Sequence, residues 1–85
     1  MTRYQVSIAR SAEKEFLSLP NLIQALLKDR LLKLQTNPRS DQTKKLRDSD
    51  KYRLRMGNYR VIYSVNDSIH VVVVLSIGHR KEIYR

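Results

Sequence analysis

The stretch YRLRMGNYRVIY, residues 52–63, leaves little freedom in how it can fold. Strand side chains alternate between two faces, so Tyr52, Leu54 and Met56 share one face while Arg53 and Arg55 share the other. Gly57-Asn58 suits a two-residue hairpin loop, because glycine at the first central position fits a type II′ turn. That loop pairs Met56 with Tyr59, Arg55 with Arg60, Leu54 with Val61, and Arg53 with Ile62. Cross-strand partners lie on the same face, so three guanidinium groups crowd one patch of sheet. Directly opposed like charges destabilise a sheet by a few tenths of a kcal/mol up to about 1 kcal/mol. A patch that accepts this repulsion is suited to a polyanion.

The rest of the chain restricts which polyanion and where. Eighty-five residues (1–85) make one domain, with no room for a second core. Seventeen basic residues against eight acidic ones give a formal net charge of +9, which attracts phosphate backbones. There is no cysteine, so disulfides and thiolate metal sites are excluded and a reducing cytoplasm is the expected location. No apolar run approaches the roughly 18 residues needed to span a bilayer. The opening MTRYQVSIARSAEKEF lacks the apolar centre of a secretion signal. Neither a membrane nor a metal or other cofactor is expected.

Residues 3–9, RYQVSIA, alternate Tyr4, Val6 and Ile8 against Arg3, Gln5 and Ser7, the pattern of a short amphipathic strand. Ser11 is placed to cap a first helix in which Phe16 and Leu17 face inward. Pro20 opens a second helix whose apolar positions are Leu22, Ile23, Leu26, Leu27, Leu31 and Leu34, and Asn37-Pro38 ends it. Residues 38–51 read as a polar loop pinned by Leu46. The hairpin follows, then Asn66-Asp67-Ser68 as a turn, then IHVVVVLSI as a strand buried on both faces. The expected fold is α+β, in the order strand-helix-helix-strand-strand-strand. The two-helix hairpin covers the Leu54 face of the sheet and leaves the arginine face open.

Arginine's planar fork binds phosphate oxygens in pairs, so Arg53, Arg55 and Arg60 are the first candidates for chemistry on a phosphodiester. The segment GHRKEIYR follows the last strand and brings further candidates to the edge of the sheet. Arg80 is a fourth phosphate ligand, and Tyr84 can stack on a base or donate a proton. His79 is a candidate for proton transfer, because histidine's ordinary pKa lies near neutrality. His70, inside the apolar run, is read as structural. Gly-rich phosphate loops and metal-binding histidine spacings are absent from the sequence, and only Glu82 lies close to the basic cluster, so a paired-carboxylate mechanism lacks its second member.

With YRLRMGNYRVIY and GHRKEIYR together, the sequence resembles the RelE toxin family within the RelE/ParE superfamily of toxin–antitoxin pairs. The resemblance also covers the order of elements, the Asn-Pro stop and the KKL segment, and so runs through almost the whole chain. It implies a curved, mainly antiparallel sheet packed on two helices. It further implies a ribosome-dependent endoribonuclease that cuts messenger RNA in the A site through attack of the ribose 2′-hydroxyl on the adjacent phosphate. By that resemblance Arg60 is the phosphate and transition-state ligand, Arg80 assists the leaving group, and Tyr84 orients or stacks the RNA. Arg53 and Arg55 stand where the family pattern has lysines, and arginine is effectively never deprotonated. They therefore act by charge, or the base is His79, Lys81 or Tyr84. Lys44, Lys45, Arg47 and Lys51 are the expected further RNA contacts. The implied partners are a cognate antitoxin, the ribosome and its A-site mRNA. A ParE-like inhibitor of gyrase that cleaves no RNA is the competing expectation.

Overall fold

Seven elements follow one another in the computed structural model: β1 (Gln5–Ile8), α1 (Arg10–Leu17), α2 (Asn21–Lys33), β2 (Thr43–Lys45), β3 (Lys51–Met56), β4 (Tyr59–Asn66) and β5 (Val71–His79). The residues described are 3–39, 43–46 and 50–79. One sheet of five strands runs in the order β1-β5-β4-β3-β2, with β1 parallel to β5 and every other pair antiparallel. The α+β class and the two helices agree with the sequence reading. The extra strand does not, because β2 lies in the segment read as a loop. It pairs Thr43 with Leu54, Lys44 with Arg53 and Lys45 with Tyr52, three polar residues with no alternation to betray them. Covering the outer edge of β3 is what β2 contributes, since an open strand edge invites unwanted pairing.

The β3–β4 hairpin has the expected register at all four pairs named above. Gly57 has φ +59°, whereas Asn58 is not among the positive-φ residues, which is the signature of a type II′ turn. A Cβ added at Gly57 would meet nothing within 4 Å, so the substitution Gly57→Ala isolates the backbone cost. That cost is about 1–2 kcal/mol for an L-residue in this region. It should appear as a lowered urea midpoint with an unchanged m-value; an unshifted midpoint would remove the strain argument.

Ala12 of α1 and Leu27, Leu31 and Leu34 of α2 and its exit pack with Leu54, Val61, Tyr63, Val65, Val72, Val74 and Ile77 of the sheet. A β-bulge makes this face continuous. Ile62 pairs with Ser76 but Tyr63 with Val74, so Leu75 is the extra residue of β5. Val74 and Ile77 are three apart and would point to opposite faces of a regular strand. The bulge restores the phase, and both reach the core. Burial in β5 alternates instead of covering both faces as the sequence suggested: Val72, Val74 and Ile77 are buried, while Val71 and Val73 are half-buried on the far face.

The helices differ in detail from expectation. The Ala9 N–H donates to Val74 O at 2.8 Å, and its carbonyl accepts the Glu13 N–H at 2.9 Å. Sheet pairing therefore fixes where α1 starts; Ala9 occupies the N-cap and Ser11 lies inside the helix. Pro20 is the N-cap of α2, one position before the first helical residue. Leu27, Leu31 and Leu34 face the core with Ile23 packed beside them. Leu17, Leu22 and Leu26, expected to face inward, are 63%, 71% and 47% exposed. Two helices can present only one stripe each to one sheet, and these leucines fall outside it.

Candidate nucleic-acid interface

Arg55, Arg60 and Gly78 occupy one rung across β3, β4 and β5, and Lys44, Arg53, Ile62 and Ser76 the rung two positions away, next on the same face. Cross-strand partners share a face, and on these strands it is the face opposite Leu54, Val61 and Ile77, on which the helices pack. Lys51, in register with Ser64, lies on the same side. Lys45, opposite Tyr52, lies on the other side and is exposed.

The arginine face is less open than the sequence suggested. Arg55 is exposed and Arg53 half-buried, but Arg60 is only 3% exposed. Its Nη1 donates to the carbonyls of Gly57 and Tyr59, both at 3.0 Å. A buried guanidinium is tolerated only with such acceptors, and the tight turn supplies them. Gly78 across the rung has no side chain to compete for the space. The result is one fixed positive charge beneath the turn and one exposed positive charge beside it.

His79 falls on the other side. It pairs with Tyr59, and their rings meet edge to face with centroids 5.7 Å apart. The two rings line a cleft of about 300 Å³ with Glu15, Ser18 and Pro20 at the junction of the helices. Glu15 Oε1 accepts the Ile77 N–H at 3.0 Å, taking an edge donor of β5 beyond the end of β1. His79 is therefore not brought together with Arg53, Arg55 and Arg60. Arg80, Lys81, Tyr84 and Arg47 lie outside the described residues.

Sequence reasoning missed two features. The first is Arg30, on the inner stripe of α2 between Leu27 and Leu34. It lines a depression of about 560 Å³ with Thr43, Lys44, Arg53, Arg55, Met56 and Gly57. A cation on an otherwise apolar stripe was the available signal. The second is a network at the opposite end of the sheet. Arg39 clamps Asp67 with Nη2–Oδ2 2.8 Å and Nη1–Oδ1 3.1 Å. Its Nε donates to the Tyr52 hydroxyl at 2.8 Å, and the Tyr4 hydroxyl donates to Asp67 Oδ1 at 2.6 Å. His70, at φ 55°, is exposed in the turn before β5 and not inside the strand as the sequence suggested, and it packs edge-on against the Tyr4 ring.

Arg39, and after it Tyr4, hold the Asp67 carboxyl below the usual carboxylate range. A depressed folded pKa contributes stability that is complete above the unfolded value near ~3.9 and is lost as pH falls through the folded value. Asp67→Asn should therefore lower the urea midpoint near neutral pH, and the difference from wild type should shrink as pH falls below the unfolded value. A gap of equal size at both pH values would mean that the carboxylate charge is irrelevant.

Among the described residues no group of three or more His, Cys, Asp or Glu side chains could hold a metal ion, and no helix is long and apolar enough to cross a membrane. The family model of the ParE toxin of the type II toxin–antitoxin system parDE matches residues 6–84. The mRNA interferase toxin RelE of Escherichia coli K12 is 33% identical, with 95% of this chain and 90% of the relative covered. In the archaeal RelE–RelB complex from Pyrococcus horikoshii OT3, a chain 34% identical superposes with a TM-score of 0.84, covering 94% of this chain and 97% of the other. In the intact E. coli RelBE toxin–antitoxin complex the values are 32% and 0.79, over 89% and 95%. The hairpin with its arginine rung, the mixed five-stranded sheet and these likenesses agree: the chain belongs to the RelE/ParE superfamily and is a toxin of the type II toxin–antitoxin class.

Proposed function

We propose that this toxin is a ribosome-dependent endoribonuclease that cuts mRNA in the A site without a metal ion. The observation that carries this reading is the Arg55–Arg60–Gly78 rung on the sheet face opposite the helices, in a chain one-third identical to a relative named mRNA interferase. The 2′-hydroxyl attacks the adjacent phosphorus, the P–O5′ bond breaks, and the products are a 2′,3′-cyclic phosphate and a 5′-hydroxyl. The proton of the 2′-hydroxyl leaves to a base, and another proton reaches the departing 5′-oxygen. Arg55 binds the phosphate, and Arg60, held by the turn, stabilises the extra negative charge on phosphorus. Arg80 is assigned to the leaving oxygen and Tyr84 to the RNA. Lys44, Arg47 and Lys51 track the backbone, with Lys45 at the margin. Since His79 points to the other face, Lys81 and Tyr84 are the better candidates for the base. An acidic antitoxin is the matching protein partner; relatives are found in complexes with RelB.

A second reading is gyrase inhibition, which the match to the ParE model favours. Translating ribosomes supplied with toxin separate the two. Cuts within the A-site codon that vanish with Arg55→Ala and Arg80→Ala support the nuclease. Intact mRNA together with gyrase-dependent DNA breaks would replace it with the ParE-type activity.

A further inference from the structure

β1 pairs with β5 only as far as Ile8 opposite Val74, and the Ala9 N–H closes that ladder on Val74 O at 2.8 Å. β5 runs on to His79 with β4 along one side. Beyond Val74 its other edge has no strand beside it among the described residues. An N–H on such an edge needs an acceptor. Glu15 supplies one from α1, the helix packed on β5: its Oε1 accepts the Ile77 N–H at 3.0 Å and lies 3.4 Å from the Ser76 hydroxyl. Ile77 stands one residue before Gly78, the partner of Arg60, and three before Arg80. We propose that Glu15 is a positioning residue for RNA cleavage. It anchors the end of β5 to α1, and so fixes where β5 meets the Arg60 rung and where the chain departs towards Arg80 and Tyr84. The inference rests on the nuclease reading and gives that site a support from the helix side of the sheet.

Three features favour this role. The bulge at Leu75 lies just before the clamp. A bulge interrupts the ladder and increases the local twist, so the strand end beyond it depends more on any other anchor. The second feature is the bond itself, which a carboxylate makes roughly twice as strong as a neutral acceptor would. Thirdly, Glu15 is half-buried whereas its neighbours Glu13 and Lys14 are exposed, so packing holds its side chain towards β5. The clamp also adjoins the Tyr59–His79 ring contact, since Glu15, Tyr59, Ile77 and His79 line the same cleft. Position matters here because a reacting group misplaced by about 1 Å can cost on the order of 10²-fold in rate.

The test is single-turnover A-site cleavage on programmed ribosomes, with the toxin concentration varied for wild type, Glu15→Ala, Glu15→Gln and Val65→Ala. Glu15→Ala should lower the plateau rate by roughly 10- to 100-fold. Its half-saturating concentration should stay within about twofold of wild type, because no contact to RNA is lost. Glu15→Gln keeps an acceptor oxygen and should recover most of the rate. Val65→Ala truncates a buried residue at the far end of β4, opposite Val72, and should lower thermal stability without slowing the plateau. Amide exchange at Ile77 should be faster in Glu15→Ala than in wild type or Glu15→Gln. An unchanged plateau in Glu15→Ala overturns the assignment while leaving the nuclease reading intact. So does an equal loss in Glu15→Ala and Glu15→Gln, which would trace the effect to charge, or a loss that Val65→Ala shares, which would trace it to stability. A rise in half-saturating concentration alone would overturn it too, by making Glu15 a determinant of binding. If wild type cuts no mRNA, the nuclease reading falls and this inference with it.

Discussion

Arg60→Ala is expected to slow A-site cleavage about 10²–10³-fold, the loss typical of removing one preorganised group that stabilises developing negative charge. The expectation follows from how the side chain is held. Bonds from Nη1 to the Gly57 and Tyr59 carbonyls fix the guanidinium beneath the turn, so its charge need not reorganise as the phosphorane forms. The same bonds mean that alanine also damages the fold. Losing two hydrogen bonds from a charged donor to these partly buried carbonyls costs about 1–3 kcal/mol, so rates must be compared well below the melting temperature of the variant. Arg60→Lys separates the two roles. Lysine keeps the charge but not the fork, and cannot hold it beneath the turn in the same fixed geometry. Its activity should therefore fall nearly as far as that of alanine. Near-wild-type cleavage by Arg60→Lys would show that charge alone suffices.

Tyr63→Ala should have the largest effect on stability, roughly 3–5 kcal/mol for a large aromatic removed from a core. A domain of this size has about 4–13 kcal/mol in total, so the variant should be largely unfolded at moderate temperature. Tyr63 is fully buried, its ring stacks on Tyr52 with centroids 5.8 Å apart, and its hydroxyl donates to Pro38 O at 2.5 Å. That bond ties the centre of the sheet to the stop after α2. Tyr63→Phe keeps the packing and loses the bond, and should cost about 1–3 kcal/mol because the buried carbonyl loses its donor. Burial pushes the Tyr63 phenol up to about 12. A folded pKa above the unfolded value near ~10 means stability that is complete below about pH 10 and lost as pH rises through the folded value. Thermal melts at rising pH should show this alkaline loss in wild type and not in Tyr63→Phe. Equal alkaline loss in both would place it in another group.

The local parts of this structure were legible because local chemistry decides them. Gly57-Asn58 dictated both turn type and register, and with them which arginines meet. The features that were not legible depend on distant partners. The Leu75 bulge exists because Val74 and Ile77 must both reach the core, a demand visible only once β4 is alongside. β2 is a strand because β3 has an edge to cover, not because Thr43-Lys44-Lys45 favours one. Arg39, Asp67, Tyr4 and Tyr52 come together from four separate segments. Arg60 looked exposed because alternation predicts the face of a side chain but not how it folds back onto a turn. The same alternation sent His79 to the opposite face once the bulge shifted the phase of β5.

The most direct measurement is the chemistry of the cut ends. Ribosomes stalled on a defined codon, exposed to toxin, should release mRNA fragments cut within the A site. The upstream fragment should carry a 2′,3′-cyclic phosphate and the downstream one a 5′-hydroxyl, and a 2′-deoxy nucleotide at the cut position should abolish the reaction. Fragments that still form from the deoxy substrate, or that end in 5′-phosphates, would contradict attack by the 2′-hydroxyl on an arginine-held phosphate.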